Sequence, residues 1–173
     1  MTQPRFIPLF TSFLLCSILY IKCSHGINHD TIALGKTITK DDLPCVQMQY
    51  FIEKYADQYD IPIEYAYGLA YMETTYRGPL DSSYTHKRIS PTGALGPTQI
   101  LLSTARYVNK DKVSRERLLN DIEYNIQTSM KYLRMLHNRY KNWGKTLGYY
   151  NTGRPKVNKY AKRILNKEYQ WVQ

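Results

Sequence analysis

Cysteine, histidine and clustered charge are all sparse in these 173 residues, and each shortage removes a class of protein. The three cysteines, Cys16, Cys23 and Cys45, are too few to staple a small fold. The four histidines, His25, His29, His86 and His137, make no ligand spacing with them, so no metal and no cofactor are expected. No segment alternates polar and apolar residues convincingly, so strands are not expected. The 24 Lys and Arg residues are scattered rather than run together, which argues against a nucleic-acid partner. The apolar stretch Phe6 to Ile21 is interrupted by Thr11, Ser12, Ser17 and Tyr20 and is short for a bilayer span.

That stretch has instead the layout of an export signal. Arg5 supplies the positive start, and Ser24 and Gly26 place small residues at −3 and −1 of a cut after Gly26. Residues 1–26 are expected to be a signal peptide, and the mature chain to be exported, periplasmic and without a stable membrane span. The alternatives are lipidation at Cys23, for which Lys22 is a poor neighbour, and an uncleaved anchor. Cleavage would leave Cys45 with no internal disulfide partner. What remains is enough for one domain with a core. The net charge of +10 suits an anionic partner such as nucleic acid, a membrane surface or an acidic wall polymer, and export argues against the first. Seventeen tyrosines offer rings with an apolar face and a hydroxyl, suited both to core filling and to gripping amphipathic polymers.

Periodicity predicts helices throughout. Residues 27–43 read as an extended lead-in. Val46, Tyr50, Ile52 and Tyr55 suggest a first helix from Pro44 to Asp57. Asp60-Ile61-Pro62 breaks the chain, and a second helix starts near Pro62. Residues 77–97 are rich in turn chemistry, and a connection of that length tends to be functional. Ser103 reads as the N-cap of a short helix to Val108. Asp121 caps the longest periodic segment, striped by Ile122, Ile126, Leu133, Leu136 and Tyr140. A shorter helix over 145–150 stops at Asn151-Thr152-Gly153, and a basic helix runs from Pro155 to Tyr169. The expected fold is all-α, a single helical domain over 44–173 with one long loop.

Within the second helix, Ala66, Leu69, Ala70 and Glu73 share one face. A carboxyl ending an apolar stripe either looks out through the last turn or is held against an apolar wall. In the second case its pKa rises until it can donate a proton near neutrality.

Three segments belong together: Glu73-Thr74, then Gly93-Ala94-Leu95-Gly96-Pro97-Thr98-Gln99-Ile100, then Tyr149-Tyr150-Asn151-Thr152-Gly153. Their order and spacing resemble the soluble-lytic-transglycosylase-like domain of the lysozyme-like superfamily, goose-type lysozyme relatives included. There a catalytic glutamate is followed by serine, then a Gly-Leu-Met-Gln-Ile loop, then Ala-Tyr-Asn-x-Gly. The resemblance spans roughly residues 44–165. It is supported by Ser103-Thr104-Ala105, Asn125-Ile126, Tyr132-Leu133 and Tyr160. Thr74 stands in place of the serine and keeps a hydroxyl. Pro97-Thr98 stands in place of Leu-Met, so a smaller polar residue is expected to floor the cleft.

The resemblance implies cleavage of the MurNAc-β-1,4-GlcNAc bond of peptidoglycan glycan strands without water, ending in a 1,6-anhydro sugar. Glu73 would be the acid and then the base, and Thr74, Gln99 and the Gly96 backbone would hold the strand. Tyr149 and Asn151 would line the cleft, and Tyr160 would orient Glu73. A domain of this size behind a signal, ending in Tyr160-Ala-Lys-Arg-Ile, is similar to the transglycosylases that serve secretion, conjugation or type IV pilus machines. Two alternatives stay open. Asp81 would make the protein a two-carboxylate hydrolase. A catalytically weak wall-binding or scaffolding protein would tolerate loss of Glu73.

Overall fold

The structure is a computed structural model that describes residues 38–171. The expected signal peptide, Cys23 and the lead-in before Ile38 lie outside the described residues. Among those described, seven helices and no strands are found: α1 (Pro44–Gln58), α2 (Ile63–Thr74), α3 (Leu102–Val108), α4 (Arg115–Asn120), α5 (Ile122–Tyr140), α6 (Trp143–Thr152) and α7 (Lys159–Leu165). The fold is all-α, as expected, and no described helix is long and apolar enough to cross a membrane.

Helix α5 is the axis of the domain and packs against α1, α3, α4 and α6. Asp121 caps it as expected, its carboxylate accepting the Tyr124 N–H at 2.9 Å. The main core joins Met48, Ile52, Leu69, Ala70, Ile126, Met130, Leu133, Leu147 and Ile164, all fully buried. A second cluster of Leu95, Ile100, Ala105, Val113, Leu118 and Tyr124 lies between the long loop, α3, α4 and α5.

Several boundaries differ from the sequence reading, each for a local reason. Helix α3 begins at Leu102, and no side chain caps it, so Ser103 lies inside the helix. Helix α4 was not anticipated; Ser114 caps it by accepting from the Arg117 N–H at 3.1 Å. Asn142 caps α6 and starts it at Trp143, and Gly153 ends it in the left-handed region at φ +70°. Asn158 caps α7 at Lys159, which leaves Pro155–Val157 outside the helix. Beyond α7 the chain turns back, so that Tyr169 packs near Tyr71 and Trp171 meets Tyr67 and Tyr76.

Candidate active site

Ala66, Leu69 and Ala70 are fully buried on the stripe that Glu73 continues. Helix α2 stops one residue later, where Thr75 turns left-handed at φ 60°. Glu73 therefore sits half-buried in a last turn, with an apolar wall beneath it and the negative end of the helix dipole beside it. Burial pushes its carboxyl up from the ordinary value to about 7. Opposing this, Tyr160 Oη donates to Glu73 Oε1 at 2.5 Å, which favours the charged form. The two effects leave a carboxyl that is part protonated at neutral pH.

Tyr160 reaches Glu73 because α7 lies very close to α2. A Cβ placed on Gly68 would stand 2.8 Å from Ile164 Cγ2, one turn along α7 from Tyr160. Only glycine leaves that room.

The long loop is tied to the end of α2 and to α5. Thr74 is fully buried; its Oγ1 donates to the Pro97 carbonyl at 2.8 Å and pairs with Tyr84 Oη at 2.9 Å. This corrects its expected role: the hydroxyl faces the loop and fastens it, with no surface left for a sugar. Gly96 is also buried, at φ +71°. Its N–H donates to the Arg88 carbonyl at 2.8 Å, and its carbonyl accepts from the Gln99 N–H at 3.2 Å and Gln99 Nε2 at 2.9 Å. A Cβ there would collide with the Asn125 amide and the Leu118 carbonyl. The Gly96 backbone thus shapes the loop, and its polar groups are spent within it. Gln99 is half-exposed and carries a left-handed backbone, φ 49°, which costs a non-glycine residue about 1 kcal/mol.

Thr98 does not floor a cleft. Its side chain turns inward and bonds Asn125 Oδ1 and Ser129 Oγ, each at 2.5 Å, within a fully buried network. Asn125 completes that network by donating to the Leu95 and Leu118 carbonyls. Tyr150 Oη closes it, donating to the Thr98 carbonyl at 2.9 Å, and lies within electrostatic reach of Glu73.

Of the seven residues expected at the site, Glu73 and Tyr160 meet directly, while Thr74, Gly96 and Gln99 are joined through the loop that Thr74 pins to α2. Tyr149 packs on Tyr140 with ring centroids 5.4 Å apart. Asn151 is exposed, and its Oδ1 accepts from Asn158 Nδ2 at 3.1 Å. Asp81 bonds the Arg77 guanidinium at 3.0 Å and Ser83 Oγ at 2.6 Å, which holds its carboxyl below the usual range. A cavity of about 580 Å³ beside residues 38–44, α1 and the start of α5 is lined by none of these seven.

The family model described as the transglycosylase SLT domain matches residues 50–172, most of the chain. The chain belongs to the transglycosylase SLT domain family. The 70 kDa soluble lytic transglycosylase from Escherichia coli is similar in structure, with a TM-score of 0.51 and 26% identity over 69% of this chain and 18% of that one. The 70-kDa soluble lytic transglycosylase in complex with bulgecin A matches at 0.51 and 25% identity, over 69% of this chain and 19% of that one. The SLT domain chain thus spans under a fifth of the length of those proteins, and it shares their lysozyme-like helical fold. No curated protein matches it. Set against the Ala-Tyr-Asn-x-Gly pattern, the family tyrosine falls on Tyr150, with Tyr149 at the alanine position. The sequence reading missed Tyr150, and that register was the signal available to find it.

Proposed function

We propose that this protein is a peptidoglycan lytic transglycosylase, acting on the MurNAc-β-1,4-GlcNAc bond with Glu73 as its acid and base. The observation that carries the reading is a carboxyl at the end of an apolar stripe, raised to about 7 by burial and held at Oε1 by Tyr160. Protonated Glu73 gives its proton to the glycosidic oxygen, and the C–O bond breaks as positive charge builds on the MurNAc ring. The Glu73 carboxylate then takes the proton of the sugar's 6-hydroxyl as that oxygen bonds to C1, closing the 1,6-anhydro ring. No protein nucleophile enters this route. Tyr160 is a positioning residue, and Tyr150 with the Thr98 carbonyl holds the loop beside the acid. Gln99, Tyr149 and Asn151 would contact the strand. Asp81, committed to Arg77 and Ser83, gives no support to a two-carboxylate hydrolase.

The same reading makes residues 1–26 a cleaved signal, the protein exported, and its use the local opening of the wall for a secretion, conjugation or pilus assembly. Mass spectrometry of purified peptidoglycan treated with the protein tests the chemistry. Anhydro-muropeptides from the wild type and none from Glu73→Gln are expected. Reducing-end products would assign the protein to the hydrolases, and binding without any release would make it a wall-binding protein.

A further inference from the structure

We propose that Tyr107, Tyr132, Tyr140 and Tyr149 form a stacking track that carries additional sugars of the glycan strand away from Glu73. This rests on the glycan-cleaving reading above and deepens it.

Four rings stand apart from most tyrosines of the domain. Tyr50, Tyr55, Tyr67, Tyr76, Tyr84, Tyr150 and Tyr160 all belong to the main core or pack against it. Tyr107, Tyr132, Tyr140 and Tyr149 belong to neither core cluster. Their rings are spent on one another and on the surface. Tyr132 and Tyr140 lie two turns apart on α5, a rise of about 12 Å, which exceeds the width of one sugar ring. Each faces a ring of α6: Tyr132 meets Tyr150 at 5.8 Å between centroids, and Tyr140 meets Tyr149 at 5.4 Å. Both pairs are tilted, by 48° and 37°, so ring faces are not sealed against each other as in a stack. All four of these rings are only part buried.

The track starts beside the acid, because Tyr150 lies within electrostatic reach of Glu73 and is also the partner of Tyr132. Tyr107 of α3 comes to the same cluster from another element. It is 71% exposed, an unusual position for a large ring, and lies within electrostatic reach of the Tyr132 hydroxyl. At the outer end the Arg139 guanidinium stands over Tyr140, 6.0 Å from the ring centroid. A pyranose presents an apolar C–H face that packs on such rings, while its hydroxyls reach the tyrosine Oη groups at their edges. Rings tilted in succession along two helices suit a twisting polysaccharide better than a flat planar ligand.

The test is binding by the uncleaving Glu73→Gln protein of peptide-free GlcNAc–MurNAc oligosaccharides, one of four sugars and one of roughly ten, followed by calorimetry. Adding Tyr107→Ala or Tyr140→Ala should weaken the long ligand about three- to tenfold each, and the tetrasaccharide less than about twofold. Phenylalanine at either position should keep the long-ligand affinity, because the ring face is retained. Equal losses at both lengths, or none at either, would overturn the track. If the wild type releases anhydro products and the length effect is missing, the track alone fails. If Glu73→Gln binds neither ligand and the wild type releases nothing, the functional reading fails with it.

Discussion

Glu73 carries two opposed consequences of one placement. Burial raises its pKa from the ordinary 4.5 to about 7, so the folded protein holds a proton there that the unfolded chain has released. The folded state binds more protons between those values, and stability therefore falls as pH rises from about 4.5 to about 7. Above about 7 both states are ionised and the loss is complete. A shift of this size corresponds to about 1–3 kcal/mol after allowing for partial exposure. Glu73→Gln is neutral at every pH and keeps an oxygen for Tyr160. It should therefore melt higher than the wild type at pH 8 by about 1–3 kcal/mol of unfolding free energy, and equally at pH 4. A calorimetric comparison at the two pH values checks this; a variant less stable at pH 8 would show that Glu73 is not desolvated.

At the scale of elements, the loop 77–101 is held to α5 chiefly by the Asn125 side chain, with Ser129 beside it. Asn125 is fully buried and accepts from Thr98 N–H and Oγ1 while donating to Leu95 and Leu118 carbonyls. Asn125→Ala leaves those groups without partners and opens a void, at about 2–4 kcal/mol. It should also loosen the loop, so that the midpoint of chemical denaturation and the rate of product release both fall. Unchanged stability would contradict the clamp. The clamp itself was not legible in the sequence: Asn125-Ile126 supported the family resemblance, but nothing in it showed which carbonyls and hydroxyls the Asn125 amide would bond. The helices themselves were legible wherever a stripe and a cap coincide, as at Asp121. The stripe through Ala66, Leu69 and Ala70 also marked Glu73 as unusual. The side-chain direction of Thr74 and Thr98 was not legible, since a hydroxyl next to a motif residue gives no sign whether it faces the ligand or the loop. Helix α4 was missed because six residues are too few to show a period, although the Ser114 cap was there to be read.

Over the whole molecule the charge is less scattered than the spacing of Lys and Arg suggests. Residues 124–167 contain eleven cations and no Asp or Glu, a charge of +11, and the rest of the chain sums to −1. Among the described residues, Arg134, Arg163 and Lys167 of these reach an acid, while Arg139, Lys141, Lys145, Arg154, Lys156, Lys159 and Lys162 are exposed. The wall of the domain built from α5, α6 and α7, the helices that include Tyr149, Tyr150 and Tyr160, is therefore rich in cations. Attraction of an acidic polymer to that wall should be screened by salt, and binding to peptidoglycan sacculi should drop about tenfold between roughly 20 mM and 300 mM salt. Salt-independent binding would leave the charge without a part in recognition. The measurement that bears most directly on the central claim is the pH dependence of kcat/KM for anhydro-muropeptide release. Cleavage needs protonated Glu73 in the free enzyme, so the rate should fall as pH rises through about 7, with the alkaline limb set by that one group. A rate that falls already near pH 4.5, or stays flat from pH 5 to 9, would contradict a buried, neutral-pH acid at Glu73.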